Sequence, residues 1–142
     1  MEVREIMSSR PQTINFDASV MEAARKMKSF DVGVLPVMKK DEIVGIVTDR
    51  DIVLRIIAEK LNPQTSLVSK AMTTDITYCS EDTDVREAVR MMEEKKIHRL
   101  IVLGSDNSLT GILSVADIAT KMHDEHLLCE VLERICEPAH VR

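Results

Sequence analysis

Tryptophan is absent, and the aromatic residues are only Phe16, Phe30 and Tyr78. The core of such a chain has to be aliphatic and methionine-rich, and little aromatic surface remains for stacking the bases of a single strand. No apolar run approaches the ~18 residues of a membrane span, so no membrane partner is expected. The opening residues MEVREIMSS have no apolar signal core. The three cysteines, Cys79, Cys129 and Cys136, are odd in number and show no CxxC spacing. That pattern fits buried or idle thiols, and a cytoplasmic location is expected.

A basic surplus is also missing. The net charge is −5 over 142 residues. Residues 1–65 balance at ten basic and ten acidic, and residues 66–142 carry nine basic and fourteen acidic. Neutralising phosphates is the main source of affinity for duplex nucleic acid, so that class of partner is disfavoured. A locally basic pocket for one small nucleotide is not.

What the chain does have is an internal repeat. Position i matches i+65 at Val3/Val68, Met7/Met72, Asp17/Asp82, Val20/Val85, Glu22/Glu87, Ala23/Ala88, Met27/Met92, Leu35/Leu100 and Val37/Val102. The offset then becomes 66 at Gly45/Gly111, Ile46/Ile112, Asp51/Asp117 and Ile52/Ile118. The one inserted residue falls where KKDE in the first copy corresponds to GSDNS in the second, a place where a hairpin loop tolerates it. Two copies are too few for a solenoid, so each copy is expected to cover an apolar face of the other. The division expected is 1–65, 66–122 and a C-terminal extension over 123–142.

Each copy reads as a βαββα unit. In the first, Thr13–Phe16 is a brief strand, and Ser19 with Glu22 forms a capping box that opens a helix to about Phe30. Val34–Met38 and Ile43–Val47 form a hairpin, and a second helix runs from Thr48 to about Lys60. In the second copy Asp84 caps the first helix with Glu87 at the box position. Arg99–Leu103 and Leu109–Leu113 form the hairpin, and Ser114 starts the closing helix. Met21, Met27, Met91 and Met92 read as core fillers. In the extension, Leu128, Val131, Leu132 and Ile135 mark an amphipathic helix ending before Pro138. His123, His126, Cys129, Cys136 and His140 match no familiar zinc spacing, so no metal is expected, and Cys129 and Cys136 are expected on or near the apolar face.

The sharpest feature is the pair GIVTDRD (Gly45–Asp51) and GILSVAD (Gly111–Asp117). In each, a hydroxyl residue leaves a strand and an aspartate follows three residues later. Thr48…Asp51 and Ser114…Asp117 fit the two ends of a capping box, which needs no ligand. The same geometry serves a ligand, because a carboxylate at a helix start can accept both hydroxyls of a ribose. Both uses are compatible.

These motifs, with FDVGVLPVM and KKIHRLIVL preceding them, resemble a tandem pair of cystathionine-β-synthase (CBS) domains, a Bateman module, over residues 3 to 122. The resemblance implies an α/β (α+β) fold with pseudo-two-fold symmetry and two small sheets flanked by helices. It also implies clefts that hold adenosine-containing ligands. Asp51 and Asp117 would take ribose hydroxyls, and Thr48 and Ser114 would lie near ribose or phosphate. Backbone at Thr13–Ile14 and Gly33–Val34 would frame one adenine, and Tyr78–Cys79 and His98–Arg99 the other.

Arg50, His98 and Arg99 are the candidate phosphate ligands, and IHRL resembles a phosphate-reading stretch of the regulatory subunit of AMP-activated kinase. Arg50 corresponds to Ala116, and Gly33–Val34 to His98–Arg99, so each copy keeps part of the set. Whether Arg50 and the His98–Arg99 pair serve one cleft is open at this level.

No activated nucleophile, P-loop or GxGxxG is present, so no catalysis and no catalytic cofactor are expected. The expected function is sensing of AMP, ADP or ATP as a regulatory ligand, in a homodimer acting on an unidentified protein target. The alternatives are S-adenosylmethionine binding and a ligand-independent interaction module.

Overall fold

The computed structural model describes residues 1–137. Two short strands, β1 (Ser8–Ser9) and β2 (Ile14–Asn15), precede helix α1 (Val20–Phe30). The hairpin β3 (Val34–Lys39) and β4 (Glu42–Thr48) leads into α2 (Asp49–Ile52), and α3 (Val68–Ala71) lies in the lead-in to the second copy. The second copy runs β5 (Tyr78–Ser80), α4 (Val85–Lys95), β6 (Arg99–Leu103), β7 (Leu109–Ser114) and α5 (Val115–Lys121), and α6 (Glu125–Ile135) follows. The α/β plan of two small sheets with flanking helices is thus present. One sheet has the order β2-β3-β4 and the other β1-β7-β6-β5.

The elements begin where the side chains dictate. Ser19 Oγ accepts the Glu22 amide at 3.1 Å, and Asp84 Oδ1 accepts the Arg86 amide at 2.9 Å. At Ser19 only the forward half of the expected box forms, and at Asp84 the acceptor takes the Arg86 amide in place of the expected Glu87 amide. Both helices end on a left-handed residue, Asp31 and Lys96, whose amides return to the carbonyls of the last turn. Val20, Ala23 and Met27 on α1, and Val85, Ala88, Val89 and Met92 on α4, are the buried faces. Met27 and Met92 therefore fill cores, while Met21 and Met91 are only partly buried.

The compact units are cut differently from the sequence copies. One is Pro11–Ile76; the other joins Met1–Arg10 to the residues from Thr77 on, and is called here the split unit. The reason lies in the lead-in segments. Val68 and Ala71, just ahead of the second copy, are fully buried in the core of Val20, Leu35, Val37, Val47 and Ile56. Val3 and Ile6, just ahead of the first copy, are buried with Val85, Met92, Leu100, Leu113 and Ile118. Each copy's lead-in therefore completes the other copy's core. Burying one such aliphatic side chain stabilises by about 1.5–3 kcal/mol.

Close approach of these lead-ins explains the two hairpin glycines. Thr73 exchanges backbone hydrogen bonds with Ile46 at 2.7 and 2.9 Å, and Ser8 pairs with Ile112. A Cβ on Gly45 would meet Met72 Sδ at 2.8 Å and the Thr73 carbonyl at 2.9 Å. On Gly111 it would meet Met7 Sδ at 2.6 Å and the Ser8 carbonyl at 2.9 Å. The glycines of the two motifs are there for a strand edge, not for a ligand.

Two expectations are corrected. The helix after Thr48 has only one α-helical turn and then widens to a π-helix over Val53–Ile57, with Ala58 N bonded to Val53 O and Leu61 N to Ile56 O. This keeps Ile56 fully buried and leaves Val53, Leu54 and Ile57 exposed. In α6 the buried stripe is Leu127, Val131 and Ile135, packed on α4 and α5; Leu132 is exposed, as are Cys129 and Cys136. The N-cap Asp124, which accepts the Leu127 amide at 3.0 Å, sets that phase. The helix ends at Ile135, ahead of Pro138 as expected; Pro138 and His140 lie outside the described residues.

Candidate functional site

Both strand-to-helix junctions form complete capping boxes. Thr48 Oγ1 accepts the Asp51 amide at 3.1 Å, and Asp51 Oδ2 accepts the Thr48 amide at 3.0 Å. Ser114 Oγ accepts the Asp117 amide at 3.2 Å, and Asp117 Oδ2 accepts the Ser114 amide at 2.9 Å. The helix starts need no ligand to be satisfied.

The second oxygen of each carboxylate separates the copies. Asp117 Oδ1 accepts Ser8 Oγ at 3.3 Å and Lys121 Nζ at 3.1 Å, and Asp117 is 6% exposed. Lys121 Nζ also reaches the Ile6 carbonyl at 3.0 Å, so it ties the lead-in to the helix start. Asp51 repeats the arrangement more loosely. Thr73 Oγ1 stands 3.4 Å from its Oδ1, and Arg55 Nη1 is 4.0 Å away, spending its hydrogen bonds on the Ala71 and Met72 carbonyls at 3.0 and 2.8 Å. Asp51 therefore keeps more acceptor capacity than Asp117.

Around each carboxylate the hairpin gathers the other candidates. Gly33 O accepts the Asp49 amide at 3.0 Å, and Val34 is in register with Thr48. His98 O accepts the Val115 amide at 3.1 Å, and Arg99 is in register with Ser114. Arg50, His98 and Arg99 are all exposed. Thr13, Ile14, Gly33, Val34, Thr48, Arg50 and Asp51 belong to the Pro11–Ile76 unit, and Tyr78, Cys79, His98, Arg99, Ser114 and Asp117 to the split unit.

Of the four stretches expected to frame adenine, Thr13–Ile14 and Tyr78–Cys79 lie on the far side of β3 and β6 from β4 and β7, whereas Gly33–Val34 and His98–Arg99 lie at the starts of β3 and β6 themselves. Ile14 pairs with Val37 on the free side of β3, and Tyr78 and Cys79 pair with Ile101 and Val102 on the corresponding side of β6. The Thr13 carbonyl accepts Lys26 Nζ at 2.5 Å. Cys79 points into the split unit's core, where burial pushes its thiol up to about 11, so only its backbone can face a ligand. Among the described residues no three His, Cys, Asp or Glu side chains gather within reach of one metal ion, and no helix is long and apolar enough to cross a membrane.

Sequence reasoning missed Ser8, Thr73, Arg55, Lys121 and Asp49. Ser8 and Thr73 are both hydroxyl residues at the 65-residue offset, and Arg55 and Lys121 are cations four residues after each aspartate. Those regularities were readable. That they converge on one carboxylate depends on the lead-ins crossing between cores. Asp49 breaks the repeat, being Val115 in the second copy, and its importance shows only in contact with Gly33.

Comparison with known proteins is consistent with this geometry. A family model for the CBS domain matches residues 3–58 and 68–124. Hypoxic response protein 1 of Mycobacterium tuberculosis is 32% identical over 136 residues, which cover 95% of this chain and 94% of that protein. A crystal structure of Hypoxic Response Protein I with two coordinated zinc ions aligns with a TM-score of 0.76 at 30% identity, covering 85% of this chain and 98% of that one. The CBS domain pair of protein MJ0100, in complex with 5′-methylthioadenosine and S-adenosyl-L-methionine, aligns with a TM-score of 0.74 at 26% identity, covering 84% and 93%.

Proposed function

Because this chain belongs to the CBS-domain family, as a tandem pair of such domains, we propose that it binds an adenosyl ligand without turning it over and passes its occupancy to a partner protein. CBS domains are regulatory and not catalytic, and the chain is not an enzyme. The observation that carries the reading is the Asp51 carboxylate. It is fixed at a helix start by the Thr48 amide, yet its second oxygen has only a 3.4 Å contact to Thr73 and a cation at 4.0 Å. A fixed carboxylate with an open oxygen is what two vicinal ribose hydroxyls require.

The proposed contact residues are Thr13, Ile14, Gly33, Val34, Thr48, Arg50 and Asp51 in the Pro11–Ile76 unit and, separately, Tyr78, Cys79, His98, Arg99, Ser114 and Asp117 in the split unit. Two readings of the 5′ substituent follow. Arg50, His98 and Arg99 suit phosphates, hence AMP, ADP or ATP. The MJ0100 complex supports an unphosphorylated adenosyl compound, S-adenosylmethionine or methylthioadenosine, and we give this reading precedence.

Calorimetric titration with adenosine, 5′-methylthioadenosine, S-adenosylmethionine, AMP, ADP and ATP tests the proposal. Binding by at least one of them, with Asp51→Ala abolishing it, is expected. No binding below about 1 mM, a free energy near 4 kcal/mol, would leave a ligand-independent interaction module in its place. A homodimer is the proposed assembly, and a monomer mass by light scattering at micromolar concentration would overturn it.

A further inference from the structure

We propose that Asp49 makes the junction at Asp51 select against phosphorylated ligands, so that the adenosyl compound bound there carries an uncharged or cationic 5′ substituent. This rests on the adenosyl reading above and adds a selectivity residue to it.

The two copies supply an internal comparison at two coupled positions. In the split unit the pair is His98 and Val115; in the Pro11–Ile76 unit it is Gly33 and Asp49. The backbones are held alike, by Asp49 N to Gly33 O at 3.0 Å and Val115 N to His98 O at 3.1 Å. The side chains are exchanged. A Cβ on Gly33 would stand 3.0 Å from Asp49 Oδ2 and 3.4 Å from Asp49 Cγ. The carboxylate of Asp49 therefore occupies the space over position 33, and a side chain there would require it to move. One junction presents an imidazole beside an apolar valine. The other presents a carboxylate over bare backbone.

The donors tell the same story. Asp49 Oδ1 accepts the Arg50 amide at 2.9 Å, and Thr48 Oγ1 takes the Asp51 amide. With the Asp49 amide on Gly33 O, every amide of this first turn is already committed within the protein. At the other junction Val115 has no side-chain acceptor to offer the Ala116 amide. A phosphate approaching this helix start would thus find no uncommitted amide in the first turn, which carries the Asp49 and Asp51 carboxylates against the one cation at 4.0 Å, Arg55, that pairs with Asp51 among the described residues. Among the described residues no ion pair neutralises Asp49. Arg50, the next residue in the chain, is exposed, where screening weakens a point charge. A sulfonium or an amine is attracted by the same pair of carboxylates, and a thioether is indifferent to them.

The test measures dissociation constants of AMP, 5′-methylthioadenosine and S-adenosylmethionine for the wild type, Asp49→Asn and Asp49→Val. Asparagine keeps an acceptor for the Arg50 amide, and valine copies the other junction. The expected result is that the AMP-to-methylthioadenosine ratio of dissociation constants falls by about tenfold in both variants, the equivalent of ~1.4 kcal/mol. S-adenosylmethionine should lose part of its advantage over methylthioadenosine. A ratio unchanged within about twofold, in variants that still bind methylthioadenosine, would overturn this inference and leave the adenosyl reading intact. No binding of any of the three ligands to any of the three proteins would overturn the adenosyl reading, and this inference with it.

Discussion

Ser8 Oγ donates to Asp117 Oδ1 across 3.3 Å, although 109 residues separate them along the chain. Thr73 and Asp51 stand in the same relation at 3.4 Å, separated by 22 residues. One contact thus recurs at two very different loop lengths, because each lead-in segment crosses to the core of the other copy. The helix-start aspartates are therefore the points at which the lead-ins are read, whatever else they bind.

Gly111→Ala should destabilise the split unit by about 1–3 kcal/mol, the usual cost of inserting a methyl where backbone cannot yield. Its Cβ would meet the Ser8 carbonyl at 2.9 Å as well as the more yielding Met7 Sδ. Gly45→Ala should act alike through the Thr73 carbonyl. Urea denaturation midpoints check both, and a variant as stable as the wild type would show that the lead-in can move away without cost.

Asp117→Asn and Asp51→Asn should separate stability from binding. Asp117 loses its charge-assisted bond to Lys121, and that change should cost about 1.5–3 kcal/mol. Among the described residues Asp51 has no cation closer than 4.0 Å, so its substitution should cost about 1 kcal/mol or less while weakening adenosine at least tenfold. Thermal melts and calorimetry on the same samples are the measurement. The reverse ranking would move the ligand to the Asp117 junction.

Cys129 and Cys136 are exposed and Cys79 is buried. A thiol reagent at pH 8 should therefore titrate two groups quickly and the third only on unfolding. The Cys79 thiol, raised to about 11, also links stability to pH. The folded state holds its proton more tightly than the unfolded chain, whose thiol titrates near ~8.5. This contribution is intact below that value and is lost as pH rises toward 11. Stability should fall over that window in the wild type, and Cys79→Ala should show a shallower slope, whatever its absolute stability.

Arg99→Ala tests the phosphate reading. If AMP, ADP and ATP bind through the split unit, the loss should grow with phosphate number and leave adenosine nearly unchanged. An equal loss for adenosine would instead give Arg99 a role in shaping the hairpin end, where it is in register with Ser114.

The amino-acid order alone determined the repeat, the two hairpins with the helices that flank them, the capping boxes at Thr48 and Ser114 and the pair of aspartates. These depend on local periodicity and on side chains reaching three or four residues along the backbone, which any reader of the chain can count. The tertiary structure decided which copy each lead-in completes, why Gly45 and Gly111 are glycine, and that Lys121 saturates Asp117 while Arg55 leaves Asp51 open. It also decided that Asp49 covers Gly33. Each of these is a contact between residues distant in sequence or on different elements, and its outcome turns on differences of an ångström or less. Spacing carries no information at that scale, because the position of a lead-in strand is set by the packing of the whole core beneath it.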